Sequence, residues 1–287
     1  MKNLSLAFAT LLLIAGISSC DIVEQPYREV TDGGPPDTTK VDTTVPIQKA
    51  LLIDYTGYRC GNCPRGAEAA ATLHNIYKDK LIVIAMHTGK TFAEPTGKDG
   101  FIVDFRTPAG EQLYNFLGKP GQPTGTVNFV PNGAKREISF SGWGTEVQKQ
   151  LALTPKMTLK LTPQFSSDSV LTLKTDVKYL QAGAGQRLAF YLVEDSIPNA
   201  QEDYRLSTKP QIIPDYIQRH VFRGAIGGGD AFGEAIVATT AGATFSKTIT
   251  FDFKGKGFNV AHCSVVVSVI DDVSKNTLQV EEAHILK

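Results

Sequence analysis

The stretch that most limits how this chain can fold runs from residue 50 to residue 77. Ala50-Leu51-Leu52-Ile53-Asp54-Tyr55 is a nearly continuous apolar run, the pattern of a strand buried on both faces of a parallel sheet. It ends in Thr56-Gly57 and leads into Cys60-Gly61-Asn62-Cys63-Pro64, where Pro64 suits the first turn of a helix. Ala67, Ala70, Ala71, Leu73, Ile76 and Tyr77 then recur at helical spacing. A strand that passes directly into a helix requires a layered arrangement of helix on sheet.

The next segments extend this pattern. Leu81 to His87 reads as a second buried strand, and Thr107-Pro108 opens a helix carrying Leu113, Phe116 and Leu117, stopped by Gly118. Thr126–Pro131 and Arg136–Phe140 are expected to form two strands of a hairpin around Asn132-Gly133. A helix from about Gly144 to Leu151 closes the unit. Beyond Thr154-Pro155 the apolar period changes to two. Strands are expected at Lys156–Leu161, Val170–Tyr179, Arg187–Glu194, Phe245–Phe253 and Ser264–Ile270, with weaker ones at Ile217–Arg223, Glu234–Ala238 and Glu281–Leu286. About eight short strands over about 130 residues suggest an antiparallel sandwich of the immunoglobulin-like sort.

The N-terminus carries an export signal. Lys2 supplies the positive end and Leu4–Ile17 the apolar stretch, which at about 14 residues falls short of the roughly 20 a spanning helix needs. Ile17-Ser18-Ser19-Cys20 resembles a bacterial lipobox, so Cys20 is expected to become the lipidated first residue and a membrane lipid its attached partner. Asp21 to Pro46 is rich in Pro, Gly, Asp and Thr and has no apolar period, as in a tether. The expected organisation is a signal peptide over 1–19, a lipidated tether over 20–46, an α/β domain over 47–153 and an all-β domain over 154–287.

The order strand, helix, strand, helix, hairpin, helix with CxxC after the first strand resembles the thioredoxin family over about residues 47–152. Leu52-Ile53-Asp54-Tyr55 followed by Cys60 resembles the family's strand with a buried aspartate, and Gln122-Pro123-Thr124 its cis-proline loop. This sequence departs from the family in having Gly-Asn inside the motif, Tyr and Arg before it, and an extra segment from about Thr88 to Arg106. At a helix start the free N–H groups favour a thiolate on Cys60, which attacks a disulfide, and Cys63 resolves the mixed disulfide. The resemblance implies that Asp54 is buried beneath the pair and takes the proton of Cys63, and that Pro123, if cis, presents backbone to an extended client strand. Plainer uses of the same residues stay open: a structural disulfide, an aspartate that ends a strand, and an ordinary turn proline.

Other features exclude more than they assign. With 29 basic and 29 acidic residues and no basic cluster, the chain has no electrostatic footprint for nucleic acid. Zinc needs two ligands beyond one CxxC, and no second CxxC or HxxxH pair is present, so no metal and no cofactor is expected. His87 ends a strand where α/β sheets place their sites, yet it does not match a two-cysteine, one-histidine copper pattern and is read as structural or pocket-lining. Gly224–Gly233 lacks the Lys-Ser/Thr of a phosphate loop and is expected to be a flexible connection. Tyr204, Tyr216, Arg219, His220 and Arg223 form a polar, aromatic stretch suited to a binding surface. Cys263 is expected to be a buried core thiol, and His262 and His284 carry no partner spacing.

Taken whole, lipobox, tether, CxxCP domain and β-rich C-terminus resemble the twenty-eight-kilodalton outer membrane protein family of Gram-negative anaerobes. The pieces that carry this are Tyr55-Thr56-Gly57, Cys60–Pro64, the strand ending at His87, the Pro123-Thr124 loop and His220-Val221-Phe222-Arg223. The resemblance implies a lipid-anchored protein of the cell envelope, in the outer membrane. Two functions are expected to compete: a thiol:disulfide oxidoreductase acting on envelope protein thiols or disulfides, and a surface binding or adhesion lipoprotein whose Cys60–Cys63 bond is static.

Overall fold

A computed structural model describes residues 45–237 and 239–286. The expected signal peptide, Cys20 and nearly all of the tether lie outside the described residues. The chain is a mixed α/β fold, rich in sheet and poor in helix.

The buried run after residue 49 is β1 (Ala50–Thr56), every residue of it buried. It is followed by α1 (Cys63–Tyr77), β2 (Leu81–His87), a short α2 (Lys90–Ala93), α3 (Pro108–Phe116), β3 (Thr124–Val127) and α4 (Trp143–Leu151). Thr107 caps α3 by accepting a hydrogen bond from Gly110 N, as its position before Pro108 implies. The all-strand segment comprises β4 (Met157–Phe165), β5 (Val170–Tyr179), β6 (Gln186–Glu194), β7 (Ile197–Glu202), β8 (Ile212–Gln218), β9 (Val221–Ile226), β10 (Glu234–Ile236), β11 (Thr244–Asp252), β12 (Cys263–Asp271) and β13 (Thr277–His284).

One large sheet runs in the order β13-β12-β6-β9-β2-β1-β3, with β10 paired to β6. It crosses the expected boundary at residues 153/154, and the described residues form one compact unit. The seam is narrow, because β9 pairs with β2 only at Val221 and Ala85. A hydrophobic core nevertheless spans it: Ile53, Ile84 and Leu113 from one side pack with Tyr191, Phe222 and Val266 from the other. The two segments therefore share a sheet and a core instead of folding around separate ones, and each fully buried Leu or Ile in that core contributes about 1.5–3 kcal/mol. The sheet also curls back on itself. Thr277 N donates to Asn128 O at 2.8 Å, Lys49 N donates to Gln279 Oε1 at 3.0 Å, and Lys49 pairs with Glu281 at 2.5 Å, so edge strand β13 lies beside the start of β1.

Two further cores flank the sheet. α1 and α4 cover β1 and β2 through Ala70, Leu73, Trp143 and Val147. A three-stranded sheet, β11-β5-β4, packs Leu171, Leu173, Val177 and Ile249 against Leu188, Phe190, Val265 and Val267.

Several expected elements take other forms. Arg136–Phe140 is not a strand: Ile138 makes one bridge to Gly125 and Asn132 one to Lys135, because the segment turns at once into α4. Ile217–Arg223 is split between β8 and β9 by His220 at φ +53°. The glycine-rich connection is anchored at its end, since Phe232 is buried in the seam-spanning core. No helix among the described residues is long and apolar enough to cross a membrane.

Candidate functional site

The local sequence explains how the cysteine pair is held. After β1 the chain turns so that Cys60 N donates to Gly57 O at 3.0 Å and Cys63 N donates to Cys60 O at 3.0 Å, and α1 starts at Cys63 with Pro64 in its first turn. The two cysteines form a disulfide with a Cα–Cα separation of 5.3 Å. Both sit at the positive end of a 15-residue helix, where a thiolate released by reduction is stabilised.

Asp54 is buried in β1, flanked in the sheet by Ala85 and Gly125. Its Oδ1 has no hydrogen-bond partner among the described residues, and burial raises its carboxyl to about 8. Gly66 lets α1 close over it. A Cβ there would lie 3.2 Å from Pro123 Cβ and 3.5 Å from Asp54 Oδ2, so one small residue, one turn past Cys63, brings helix, carboxyl and proline together. The Gln122–Pro123 peptide is cis. Gln122 donates from Nε2 to Thr88 O and Thr88 Oγ1, each at 3.0 Å. Beside this loop lies an open cleft of about 340 Å³, lined among others by Lys90, Phe92, Tyr114, Pro120 and Gln122.

A segment with no sequence signature covers the disulfide. β7 and the residues after it run along the CxxC loop: Glu202 N donates to Tyr58 O at 2.7 Å and Tyr204 N donates to Gly61 O at 2.9 Å. The Gln201 side chain donates to Cys60 O at 3.2 Å and accepts from Gln218 Nε2 at 3.2 Å. The Tyr204 ring lies so close over Gly61 that a Cβ there would fall 2.2 Å from it. Arg205 ties the segment to α1 through Glu68 at 2.8 Å. As a result Cys60 is only 2% exposed and Cys63 1%. The one hint in the sequence was Tyr204, whose aromatic neighbours along the chain suggested a surface and not a cover.

The other residues of that polar, aromatic stretch disperse. Arg223 is half-buried, paired to Glu194 at 3.2 Å and stacked 4.5 Å from the Phe258 ring centroid, while Arg219 pairs with Asp195 at 3.1 Å. Cys263 is a buried thiol raised to about 12, chiefly by burial and then by Glu194. His87 is buried with its ring centroid 5.0 Å from that of Phe105 and 6.0 Å from that of Tyr58. Burial, followed by the charge of Arg223, lowers it to about 3, so it is a neutral wall of the aromatic cluster beneath the loop.

These features define a class: a mixed α/β protein with a closed CxxC disulfide at a helix start and a curled sheet joining that motif to a strand-rich C-terminal half. The family model described as outer membrane protein Omp28 matches residues 110–287, and the chain belongs to that family. It is accordingly a protein of the outer membrane, in the cell envelope. The match begins after the cysteine pair and includes the covering segment. HBP35 of Porphyromonas gingivalis has a similar fold, at 20% identity over 84% of this chain and 76% of that one, with a TM-score of 0.64. Protein AGR_C_4864 from Agrobacterium tumefaciens is similar at 12% identity over 84% of this chain and 96% of that one, with a TM-score of 0.50. A domain of the outer membrane lipoprotein Omp28 from Porphyromonas gingivalis aligns with 46% of this chain and 90% of that one at 16% identity, and its TM-score of 0.30 carries no argument about fold. No curated protein matches the chain.

Proposed function

We propose that this protein is a lipid-anchored envelope thiol:disulfide oxidoreductase, with a thioredoxin-like half carrying Cys60–Cys63 and an immunoglobulin-like β-sandwich half that braces and covers it. The observation that carries this reading is Asp54. A buried carboxyl with an unpartnered oxygen is costly to a fold, and a static disulfide has no use for one. A carboxyl raised to about 8 can accept and return a proton near neutral pH.

In the reductive direction the Cys60 thiolate attacks one sulfur of a client disulfide, a mixed disulfide forms, and the other client sulfur leaves as a thiolate. Cys63 then gives its proton to the Asp54 carboxylate and attacks Cys60. The ring disulfide re-forms and the second client sulfur departs, taking up a proton. The client gains two electrons and the pair loses them, so a dithiol donor of the envelope must restore the pair. The reverse sequence oxidises a client dithiol. The cleft beside Pro123 is the place for an extended client segment, and the cover over Gly61 must shift before a client sulfur reaches Cys60. Cys20 is the lipid attachment.

The burial of both sulfurs under Tyr204 favours the second reading, a surface binding lipoprotein with a static bond. Replacing Cys63→Ser separates the two. The oxidoreductase traps mixed disulfides with envelope proteins, visible as dithiothreitol-sensitive adducts on non-reducing gels. A static bond traps none, and its potential lies below about −300 mV instead of between about −120 and −270 mV.

A further inference from the structure

The segment that covers the cysteine pair stands apart from the sheet that carries the pair. β7 and β8 form a two-stranded ribbon that, among the described residues, pairs with no other strand. A ribbon without a third strand gains little stability from its own ladder, and this ladder is interrupted between Asn199 and Gln201. Ile197, Ala200 and Ile212 root the ribbon in the aromatic cluster of Tyr58, Phe101 and Phe105. Residues 201–211 project beyond that root, and 207–210 are all exposed. This tip meets the motif through the Glu202 and Tyr204 N–H groups on Tyr58 O and Gly61 O, the Gln201 amide on Cys60 O, the Tyr204 ring on Gly61 and the Arg205–Glu68 ion pair. Lifting it breaks no ladder of the large sheet.

The two redox states of the pair make opposite demands on this cover. A disulfide is uncharged and tolerates the burial found at Cys60 and Cys63. Reduction breaks the bond, moves the sulfurs apart to van der Waals contact and lets Cys60 ionise at the helix start. A thiolate closed off from water is penalised unless hydrogen-bond donors stand ready. The donors of the first turn are engaged elsewhere: Cys63 N donates to Cys60 O, Arg65 N donates to Asn62 O, and Pro64 has no N–H. The field of α1 favours the charge, but its hydrogen bonds must come from water, and water reaches Cys60 only when the tip leaves. Space acts in the same direction, because the Tyr204 ring already leaves no room for a Cβ on Gly61.

We propose, on the oxidoreductase reading above, that residues 201–211 are a redox-gated lid, shut over Cys60–Cys63 while the bond is intact and lifted when the pair is reduced. By reciprocity, a lid that prefers the disulfide makes the disulfide harder to reduce by the same factor. The lid also gives the exchange a direction. The open dithiol form meets a client disulfide, whereas the shut disulfide form is closed to a client dithiol until a donor displaces the tip.

The test is amide hydrogen exchange on the purified protein, oxidised and after excess dithiothreitol, with the redox state of each sample read by thiol alkylation and mass. In the reduction the two reagent thiols pass two electrons and two protons to Cys60 and Cys63 and close into a ring disulfide. The expected result is that the Glu202 and Tyr204 amides exchange at least about 10-fold faster in the reduced protein, while Val266 in β12 is unchanged. In glutathione buffers, Tyr204→Ala should shift the equilibrium several-fold toward the dithiol, and the exposed Arg205→Ala should shift it less. Equal exchange of the Glu202 and Tyr204 amides in both states overturns the lid, and trapping by Cys63→Ser would still uphold the oxidoreductase. Faster exchange without trapped clients supports the lid and rejects the enzyme. A pair that excess dithiothreitol leaves intact in the folded protein overturns both.

Discussion

Two buried carboxylates show how differently the two halves of this molecule treat charge. Glu194, at the end of β6, is 5% exposed, pairs with Arg223 at 3.2 Å and accepts from Asn259 N at 2.7 Å. Asp54, in β1, is 2% exposed, has an unpartnered oxygen and is raised to about 8. The first is neutralised by its neighbours and braces the strand-rich half. The second is left without a counter-charge beside a helix start that carries two cysteines. The cysteines follow the same division: Cys263, near Glu194, is an inert thiol raised to about 12, whereas Cys60 and Cys63 are joined at the positive end of α1. Burial alone therefore does not distinguish a structural acid from a chemical one. The partner does.

The largest loss of stability is expected where that partner is removed. Arg223→Ala strands the Glu194 charge and should cost about 3–5 kcal/mol, read as a lowered urea midpoint. An unchanged midpoint would show that the pair contributes no more than a surface contact.

Asp54→Asn should act in the opposite direction. Folded Asp54 keeps its proton up to about pH 8, while the unfolded carboxyl loses it near 4, so the native protein loses stability as pH rises through that window. The variant escapes this loss, and its advantage over the parent should grow by up to about 1.4 kcal/mol per pH unit between pH 4 and 8. It should also slow the resolution of a mixed disulfide trapped on Cys60. A constant stability difference across that range would mean that Asp54 is ionised in the fold.

His87 sharpens the comparison from the acid side. Its folded value of about 3 lies below the ordinary histidine value of 6.5, so the unfolded chain binds the proton first and stability falls as pH drops from about 6.5 to 3. His87→Phe should flatten that part of the parent's acid-denaturation curve, and a curve that keeps the parent's slope would assign it to other groups.

The smallest effect on stability, under about 1 kcal/mol, is expected from Tyr204→Ala, because Tyr204 is 50% exposed. Its consequence should appear in chemistry instead. Uncovering Gly61 and Cys60 should speed reduction of the disulfide by dithiothreitol several-fold, and an unchanged rate would locate the barrier elsewhere in the cover.

Much of the motif region was legible because its signals are local. Buried β1, Pro64 in the first turn of α1, the Thr107 cap, the alternation of β5 and the continuous buried run of β12 each declare themselves within about ten residues. The misreadings share a cause. Arg136–Phe140 has the pattern of a strand but makes only a single bridge to β3 before it turns into α4, and β7, with Pro198 and Asn199, has no strand pattern yet pairs with β8.

Composition, periodicity and spacing by themselves determined the strand-to-helix placement of the cysteine pair, the strand-rich second half and the absence of a nucleic-acid footprint. Only the tertiary structure decided that one sheet crosses residues 153/154, that Tyr204 lies on Gly61, that Asp54 lacks a partner for its Oδ1, and that His74, His220, His262 and His284 share a cleft. The reason is physical. A helix or strand is selected by neighbours along the chain, while charge compensation, cover and convergence depend on groups that become neighbours only when the sheet curls.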